Sequence, residues 1–402
     1  MSNPLLHPFA SAGHTVDDNG AVGDGCWLKL PKDEESDFFG KWTAHHIGWV
    51  VCGGLGLIAV IVGLFLIIKH LANYTVPNQQ RYVVRILFMV PLYAILTFFS
   101  YRYYAHSPYW EAARDTYESI ALASFFVLIL QYVGESHSHQ RNYLAVGERR
   151  KLLFPLNCLT FDPARPSFLL KLKWGVLQYS IIRPLTTIVT VVLHALGYYC
   201  PSSMSPRYGH LYIAAIVFIS VSIALYALLL LYTLVKDDIK SHRPFLKFMC
   251  IKMVIFFTFW QATLLSILAS PRVHVIKPTK YWTSENISVG INALLINAEM
   301  VIFALLHLKA FPATPYISEK GYSTSLWTSL LDVMNPIHGW RDATETVKMV
   351  KNVRAEGKAY DASNEGSGEV EQMAQANDSS APPGLNRHYT IYQALGRQSG
   401  RS

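Results

Sequence analysis

Charged residues interrupt stretches of the chain that are otherwise apolar, and these residues are the first candidates for chemistry. Five lie inside such stretches and a sixth stands at the start of the third stretch: Arg85, Glu118, Arg183, Lys252, Glu299 and Asp115. A charged side chain at mid-depth in a bilayer costs about 2.5–3.5 kcal/mol on insertion scales, so it must face a partner, water or a solute. The chemistry open to these residue types is the binding of a polar solute or the passage of protons.

Arg183 and Glu299 are expected at matching depths. A helix rise of about 1.5 Å per residue places Arg183 about 12 Å, and Glu299 about 14 Å, from the same predicted boundary. The two residues can therefore pair or share a water-filled cavity, with Lys252 as another partner. One interpretation is a substrate path, and the other is a structural ion pair that locks helix packing. The path would be lined by Arg183, Lys252, Gln261, Asn292 and Glu299.

A second polar cluster is expected at the outer ends of the second and third stretches. It consists of Arg102, Arg114, Asp115 and Glu118, whose charges can neutralise one another. Such a cluster can form a mouth or gate, or it can clamp two helices together as an ion-pair network. We favour the clamp, since ion pairs inside proteins are more often structural than functional.

The elements that position these residues are predicted to be membrane-spanning helices. Hydrophobic residues make up 51% of the 402 residues and charged residues only 15%, which is too apolar for a soluble protein of this length. The apolar stretches are continuous, which favours helices over barrel strands. They number seven and run approximately over residues 47–68, 83–101, 115–133, 175–198, 210–235, 249–269 and 287–308. The predicted fold is an all-α, polytopic bundle of seven transmembrane helices.

Basic residues in the connections predict the orientation. The connection after the third stretch is the richest in Lys and Arg, so it is placed in the cytosol. The N-terminus is then outside or luminal and the C-terminus cytosolic. Four regions follow along the chain: a polar segment 1–46, the helical domain 47–310, a juxtamembrane segment 311–354 and a disordered tail 355–402. The juxtamembrane segment has a helical pattern at about 340–354, which fits either an amphipathic helix on the inner leaflet or a short solvated helix.

Other function classes find no support in the sequence. The net charge of +8 is scattered among apolar stretches and forms no basic stripe for nucleic acid. The five cysteines show no metal-ligand spacing, and the sequence contains neither a Walker loop nor a nucleophile-elbow motif. We therefore expect no enzyme activity, no metal and no cofactor.

Several motifs resemble the organic solute transporter alpha family, which includes the transmembrane-184 proteins. The likeness covers roughly residues 47–335 and is closer to the transmembrane-184 branch. Its main motifs are Pro91-Leu-Tyr-Ala, Arg114-Asp115-Thr-Tyr117-Glu118, Lys173-Trp-Gly-Val-Leu-Gln178-Tyr179 with Arg183-Pro184, Pro244-Phe-Leu-Lys247-Phe, Phe259-Trp260-Gln261, Glu299-Met300 and Ala310-Phe311-Pro312.

The resemblance implies a seven-helix protein of the endomembrane system (vacuole, endosome or Golgi) or the plasma membrane. The best-known family member exports bile acids and steroid conjugates together with a single-span beta subunit. Family polar positions fall on Arg183, Gln261 and Glu299. A cysteine run that looks like a lipidation site in the alpha subunit is reduced here to Cys158.

Two functions follow as hypotheses. The first is a facilitative carrier of amphipathic organic solutes or anions, such as steroid conjugates, with Arg183 or Lys252 attracting the anionic group. The alternative is a seven-helix scaffold or receptor-like protein for endomembrane or vacuolar trafficking, which needs no permeation path. The expected partners are membrane lipids, a small amphipathic solute, and either a beta-type subunit or a second copy of the chain, with no nucleic acid.

Overall fold

The computed structural model describes the central part of the chain with short gaps. The described residues are 43–103, 106–134, 137–145, 150–151, 160–163, 165–196, 198–199, 209–236, 239, 244–269, 275–279, 282, 284–317, 325–335 and 344. The predicted N-terminal segment, the amphipathic helix at 340–354 (apart from residue 344), the tail and Cys158 lie outside this part.

Helices account for most of the described residues. In chain order they are α1 Ala44–Ala72, α2 Pro77–Leu87, α3 Met89–Arg102, α4 Ser107–Val133, α5 His137–Ala145, α6 Pro166–Ala195, α7 Gly209–Val235, α8 Pro244–Ala269, α9 Ser284–Ala310 and α10 Leu326–Met334, with a 3-10 turn at Thr314–Tyr316. Two short strands, β1 Arg150–Lys151 and β2 Thr160–Phe161, pair antiparallel.

Six helical segments of the described chain are long and apolar enough to cross a membrane. They are Ala44–Ala72, Pro77–Arg102, Ser107–Val133, Ser167–Ala195, Gly209–Val235 and Asn286–Ala310. Each coincides with a predicted stretch, and each extends beyond it at one end or both. The predicted stretch 249–269 lies in α8, a helix of 26 residues, several of whose side chains are outside the described part. The structure thus establishes six candidate spans, and the seventh stays a prediction.

Proline explains the interruption of the second span. Its two pieces, α2 and α3, meet at Phe88, three residues before Pro91. Proline lacks an N–H and its ring crowds the preceding turn, which weakens the helix one turn upstream. Phe88 keeps right-handed helical dihedrals, so the span continues after the break. In α6 the helix runs through Pro184 without interruption.

The described unit that contains the helical bundle, residues 1–140 and 172–339, has its core between α1, α3 and α9. The core includes Met89, Tyr93 and Met300, which are fully buried. Glycine lets α1 approach α3 closely, because a Cβ at Gly63 would lie 3.1 Å from Cδ of Pro91. The interior of the bundle is thus closely packed around these three helices.

The opposite face of α1 is apolar and exposed. Leu57, Ile61 and Phe65 recur every four residues, which places them on one side of the helix, and each is about 60% exposed. In water such a row would be unfavourable, whereas a lipid environment accepts it. The exposed row therefore agrees with a helix whose outer face contacts the bilayer.

A second compact unit comprises residues 141–171 and 340–402. Its described part contains the β1–β2 pair, in which Arg150 pairs with Phe161 and Lys151 with Thr160. The ring of Phe161 stacks on that of Phe168, with centroids 5.1 Å apart. This contact fixes the second strand to the beginning of α6.

Helix α10 packs against α1 and α2 and was not predicted from the sequence. Its Asp332 accepts a hydrogen bond of 2.7 Å from the Tyr74 hydroxyl. The same carboxylate forms an ion pair with Arg81, with an N–O distance of 3.4 Å. Arg85 donates to the backbone oxygen of Val333 at 2.9 Å. Burial, together with the bond to Asp332, raises the pKa of Tyr74.

Candidate functional site

A group of polar side chains connects α3, α4 and α6 inside the bundle. Spacings of three and four residues place the α4 members on one face, and Tyr179 lies one turn before Arg183 on α6. We call this group the Arg183 cluster, and it consists of Tyr93, Glu111, Arg114, Asp115, Glu118, Tyr179 and Arg183.

Asp115 holds the two cations of the cluster. Its Oδ2 accepts a hydrogen bond from the Arg183 guanidinium, and its Oδ1 lies 3.4 Å from Nε of Arg114. The Arg183 side chain is 18% exposed and the Asp115 side chain 28% exposed. Low exposure weakens competition from water, so this pairing is stronger than one at a protein surface.

Glu118 is held by two tyrosines from neighbouring helices. The Tyr93 hydroxyl donates to Oε2 at 2.9 Å, and the Tyr179 hydroxyl donates to Oε1 at 3.5 Å. Tyr93 is fully buried. Each carboxylate oxygen of Glu118 therefore has a neutral donor, and neither needs a cation directly against it.

The carboxyl groups of the cluster outnumber its guanidinium groups by three to two. Glu111 is the third carboxyl, and it accepts a 3.5 Å hydrogen bond from Ser100. The Arg114 guanidinium also lies over the Tyr93 ring, 5.5 Å from its centroid. With its carboxyl and guanidinium groups ionised and its tyrosines neutral, the cluster carries a net charge of −1, which disfavours an added anion unless a proton is bound with it.

Hydrogen bonds of threonine side chains link α4 to α6 beside the Arg183–Asp115 ion pair. The hydroxyls of Thr116 and Thr187 lie 2.7 Å apart. Thr187 also donates to the backbone oxygen of Ala112 at 3.4 Å. These bonds fix the register between the two helices and so set the position of Arg183 relative to Asp115.

A cavity of about 140 Å³ borders the cluster at the end of the bundle where α4, α7 and α9 begin. Glu111, Asp115 and Arg183 form its charged wall, and Thr187, Thr190 and Tyr199 contribute hydroxyls. Nε of Arg183 is buried and has no hydrogen-bond partner. Arg183 thus lines the cavity and keeps one guanidinium N–H without a partner.

The expected pairing of Arg183 with Glu299 is wrong, because Arg183 pairs with Asp115. The sequence placed the start of this span at Gly175, whereas α6 begins at Pro166. These nine additional residues place Arg183 about 14 Å farther from the start of its helix than the sequence predicted. Arg183 therefore lies beside the first turns of α4, where it joins Arg114, Asp115 and Glu118 of the predicted outer cluster.

Glu299 lies on α9 and is not a member of the Arg183 cluster, and neither are Gln261 and Asn292. Within the described part, Oε2 of Glu299, Nε2 of Gln261 and Oδ1 of Asn292 are buried without a hydrogen-bond partner. The rings of Phe257 and Phe303 are 6.4 Å apart across α8 and α9. The two helices run in opposite directions, so Gln261, one turn after Phe257, lies at the same level as Glu299, one turn before Phe303.

The remaining predicted site residues are placed apart from the cluster or lie outside the described part. Arg102 is exposed, and its guanidinium lies 5.8 Å from the Trp49 ring and 5.2 Å from the Tyr103 ring. The side chain of Lys252 is outside the described part, as is Cys158. Of the outer polar set, the structure therefore gathers Arg114, Asp115 and Glu118.

Sequence reasoning missed Tyr93, Glu111 and Tyr179 as members of the cluster. A signal was present, since Glu111 stands four residues before Asp115, and Tyr179 stands four residues before Arg183. Both spacings place the residues on the charged faces of their helices. Tyr93 lies on a third helix, and only the packing of α3 against α4 brings it to Glu118.

Taken together, the apolar helices and the enclosed charged cluster define a polytopic helical membrane protein with a polar site between its helices. Residues 48–316 match the family described as organic solute transporter Ostalpha. The match covers well over half of the chain, so the protein belongs to this family of membrane solute transporters. No solved structure matches the chain.

Proposed function

We propose that the protein is a facilitative carrier of amphipathic organic solutes and that the cavity beside the Arg183 cluster binds the polar end of the solute. The observation that carries the proposal is the guanidinium of Arg183, which lines the cavity and has a buried Nε without a partner. Arginine binds carboxylate, sulfate and phosphate groups through paired N–H donors. A solute oxyanion is therefore the ligand that best fits this donor.

The size of the cavity favours an amphipathic solute. Pockets that enclose a drug-sized molecule measure about 300–1,000 Å³. The cavity of about 140 Å³ accommodates a charged group with a few neighbouring atoms but not a steroid skeleton. An apolar body would have to remain outside it, against the exposed apolar helix faces or the lipid.

Charge balance indicates how an anion is accepted. Asp115 already occupies one side of Arg183, and the cluster has one more carboxyl than guanidinium groups. A solute oxyanion would compete with Asp115 for Arg183. Binding would be easier when one carboxyl of the cluster is protonated, so we expect solute and proton to bind together.

The proposal also covers the orientation of the protein, its membrane, its seventh span and its partner. We place the N-terminus outside or in the lumen, the C-terminus in the cytosol of an endomembrane or plasma membrane, and α8 as a seventh span. We also place the protein in the transmembrane-184 branch of the family, on its sequence motifs, and keep Cys158 as a candidate lipidation site. A single-span beta-type subunit or a second copy of the chain would complete the carrier.

A flux assay tests the proposed function. Purified protein in proteoliposomes would be loaded with a radiolabelled steroid sulfate, and its exit followed down the gradient. We expect saturable flux, whereas the unconjugated parent steroid should cross protein-free and protein-containing vesicles at similar rates. Absence of protein-dependent flux for steroid sulfates and other amphipathic anions would contradict the carrier and would agree with a scaffold.

A further inference from the structure

Three basic side chains are buried together at the other end of the bundle, where α1, α4 and α9 end and α8 begins. Lys247 is 6% exposed, His307 2% and His70 fully buried. They surround Phe311, which follows α9. We call this region the Lys247 pocket, and it consists of His70, Tyr132, Lys247, His307, Phe311 and Tyr316.

The ammonium group of Lys247 is held by neutral groups. Its Nζ donates to the Tyr132 hydroxyl at 2.7 Å. It also lies 4.7 Å from the centroid of the Tyr132 ring and 5.3 Å from that of Phe311. Within the described part of the chain, no carboxylate forms a salt bridge with it. A buried cation with only aromatic neighbours is costly unless an anion accompanies it.

The two histidines leave further polar atoms unused. His70 binds the backbone oxygen of Phe311 through Nε2 at 3.1 Å, and His307 binds that of Phe303 through Nδ1 at 2.7 Å. Each ring therefore has its second nitrogen available, and both of these nitrogens are buried without a partner. Two ring nitrogens of the histidines that contact Phe311, the residue under the Lys247 ammonium, can thus bond to a ligand or to water that accompanies it.

The location and surroundings of the pocket favour an anion with an apolar body. Lys247 is the fourth residue of α8, where the positive end of the helix dipole adds to its charge. The rings of Phe311, Tyr132 and Tyr316 supply the apolar surface around it. A metal cation or a cationic solute would be repelled by the same charge.

From these observations we propose that the Lys247 pocket is a second binding site of the protein, for the oxyanion group of an amphipathic molecule. Lys247 forms the ion pair, and the histidine nitrogens bind the remaining polar atoms directly or through water. Two sources carry this chemistry: a transported solute with a sulfate or carboxylate group, and an acidic phospholipid. Binding at the pocket does not require that the protein transport anything, so the inference is independent of the proposed function.

Binding measurements on the purified full-length protein test the inference. The probes are a tritiated steroid sulfate, measured by scintillation proximity, and phosphatidylserine, whose retention is measured by native mass spectrometry. Lys247→Met removes the charge and keeps the length of the side chain. We expect it to weaken the binding of one probe or both at least tenfold, while Lys247→Arg keeps most of the binding.

Lys309→Met is the matched control, because Lys309 is an exposed cation near the same end of α9. It should change the binding of both probes less than twofold. If Lys247→Met does not elute as a monodisperse protein, Lys247→Gln replaces it, since the amide can still donate to Tyr132 and the same loss is expected.

The outcomes separate the sources. Loss of steroid sulfate binding identifies the solute, and loss of phosphatidylserine retention identifies the lipid. If Lys247→Met and Lys247→Gln both bind both probes as the natural protein does, the pocket is not an oxyanion site and the inference is overturned.

Discussion

The Arg183 cluster and the Lys247 pocket lie at opposite ends of α4 and hold their cations in different ways. Arg183 shares Asp115 with Arg114 beside a cavity, whereas Lys247 has a tyrosine hydroxyl and two aromatic rings around it. About 17 residues of helix, or roughly 25 Å, separate Asp115 from Tyr132. The first region has one more carboxyl than guanidinium groups, whereas the second has the Lys247 ammonium and no carboxylate paired with it among the described residues.

This difference indicates how one bundle could bind an anion reversibly at one end and more tightly at the other. An anion at the proposed Arg183 site would compete with Asp115, which already pairs with Arg183, so we expect it to bind weakly and reversibly. An ion in the Lys247 pocket meets no such competitor among the described residues. Weak binding would suit exchange with the surroundings, and stronger binding would suit a stable occupant.

The largest expected effect comes from removing the cation of the cluster. Arg183→Gln should lower the flux of a steroid sulfate by about 100-fold, because the oxyanion loses its charged donor and a buried Asp115 loses its partner. The measurement is initial flux per reconstituted protein. Arg102→Gln is the matched control, since Arg102 is exposed near the same end of the bundle, and it should retain normal flux.

Size-exclusion chromatography distinguishes a lost site from a lost fold in this comparison. Arg183→Lys keeps the charge but not the paired donors, so an intermediate flux is expected. Normal flux in monodisperse Arg183→Gln would show that the cluster is structural and would end the proposed role of the cavity.

The next effect tests the competition between the solute and Asp115. Asp115→Asn leaves Arg183 without its carboxylate and makes the cluster resemble the Lys247 pocket. We expect the concentration for half-maximal binding of a steroid sulfate to fall by about tenfold, which corresponds to about 1.4 kcal/mol. Equilibrium binding measures this change, and thermal unfolding should show a less stable protein. Weaker binding in Asp115→Asn would contradict the competition.

A change in pH is expected to have a smaller effect on anion flux. We expect anion flux to rise severalfold when the pH on the cavity side is lowered from about 7.5 to about 5.5, because a proton bound by any carboxyl of the cluster would remove its excess negative charge. Glu118→Gln supplies a neutral side chain at all pH values and should flatten the rise. A pH-independent flux in the natural protein would refute the linkage. The titratable or charged groups around the site are Tyr93, Glu111, Arg114, Asp115, Glu118, Tyr179, Arg183 and Tyr199.

The smallest effect concerns the threonines that align α4 with α6. Thr187→Val removes the hydroxyl that bonds to Thr116 and Ala112, at a cost of about 1 kcal/mol and about 2 °C in Tm. Differential scanning fluorimetry measures the shift. Thr233→Val is the control, because among the described residues the hydroxyl of Thr233 bonds to Leu230 of its own helix. Equal shifts in the two variants would show that the α4–α6 contact adds nothing specific.

Much of the fold could be predicted from the sequence, because a bilayer demands long apolar helices with few charges. The predicted stretch 210–235 differs from α7 by one residue. The predicted helix ends were less accurate where polar residues continue a helix. For example, α4 begins eight residues before Asp115, the predicted start of that stretch. Helix α10 is short, and its contacts with Tyr74 and Arg81 are distant in sequence, so periodicity alone did not indicate it.

The sequence by itself determined that Arg183, Asp115, Glu118 and Glu299 must be accommodated inside a membrane, since their charges interrupt apolar helices. It could not determine their partners, because a shift of a few residues in a helix boundary changes the depth of a side chain by many ångströms. Only the tertiary structure decided that Arg183 meets Asp115. It also brought Lys247 to Phe311 and the two histidines, since this pocket is assembled from segments that are far apart along the chain.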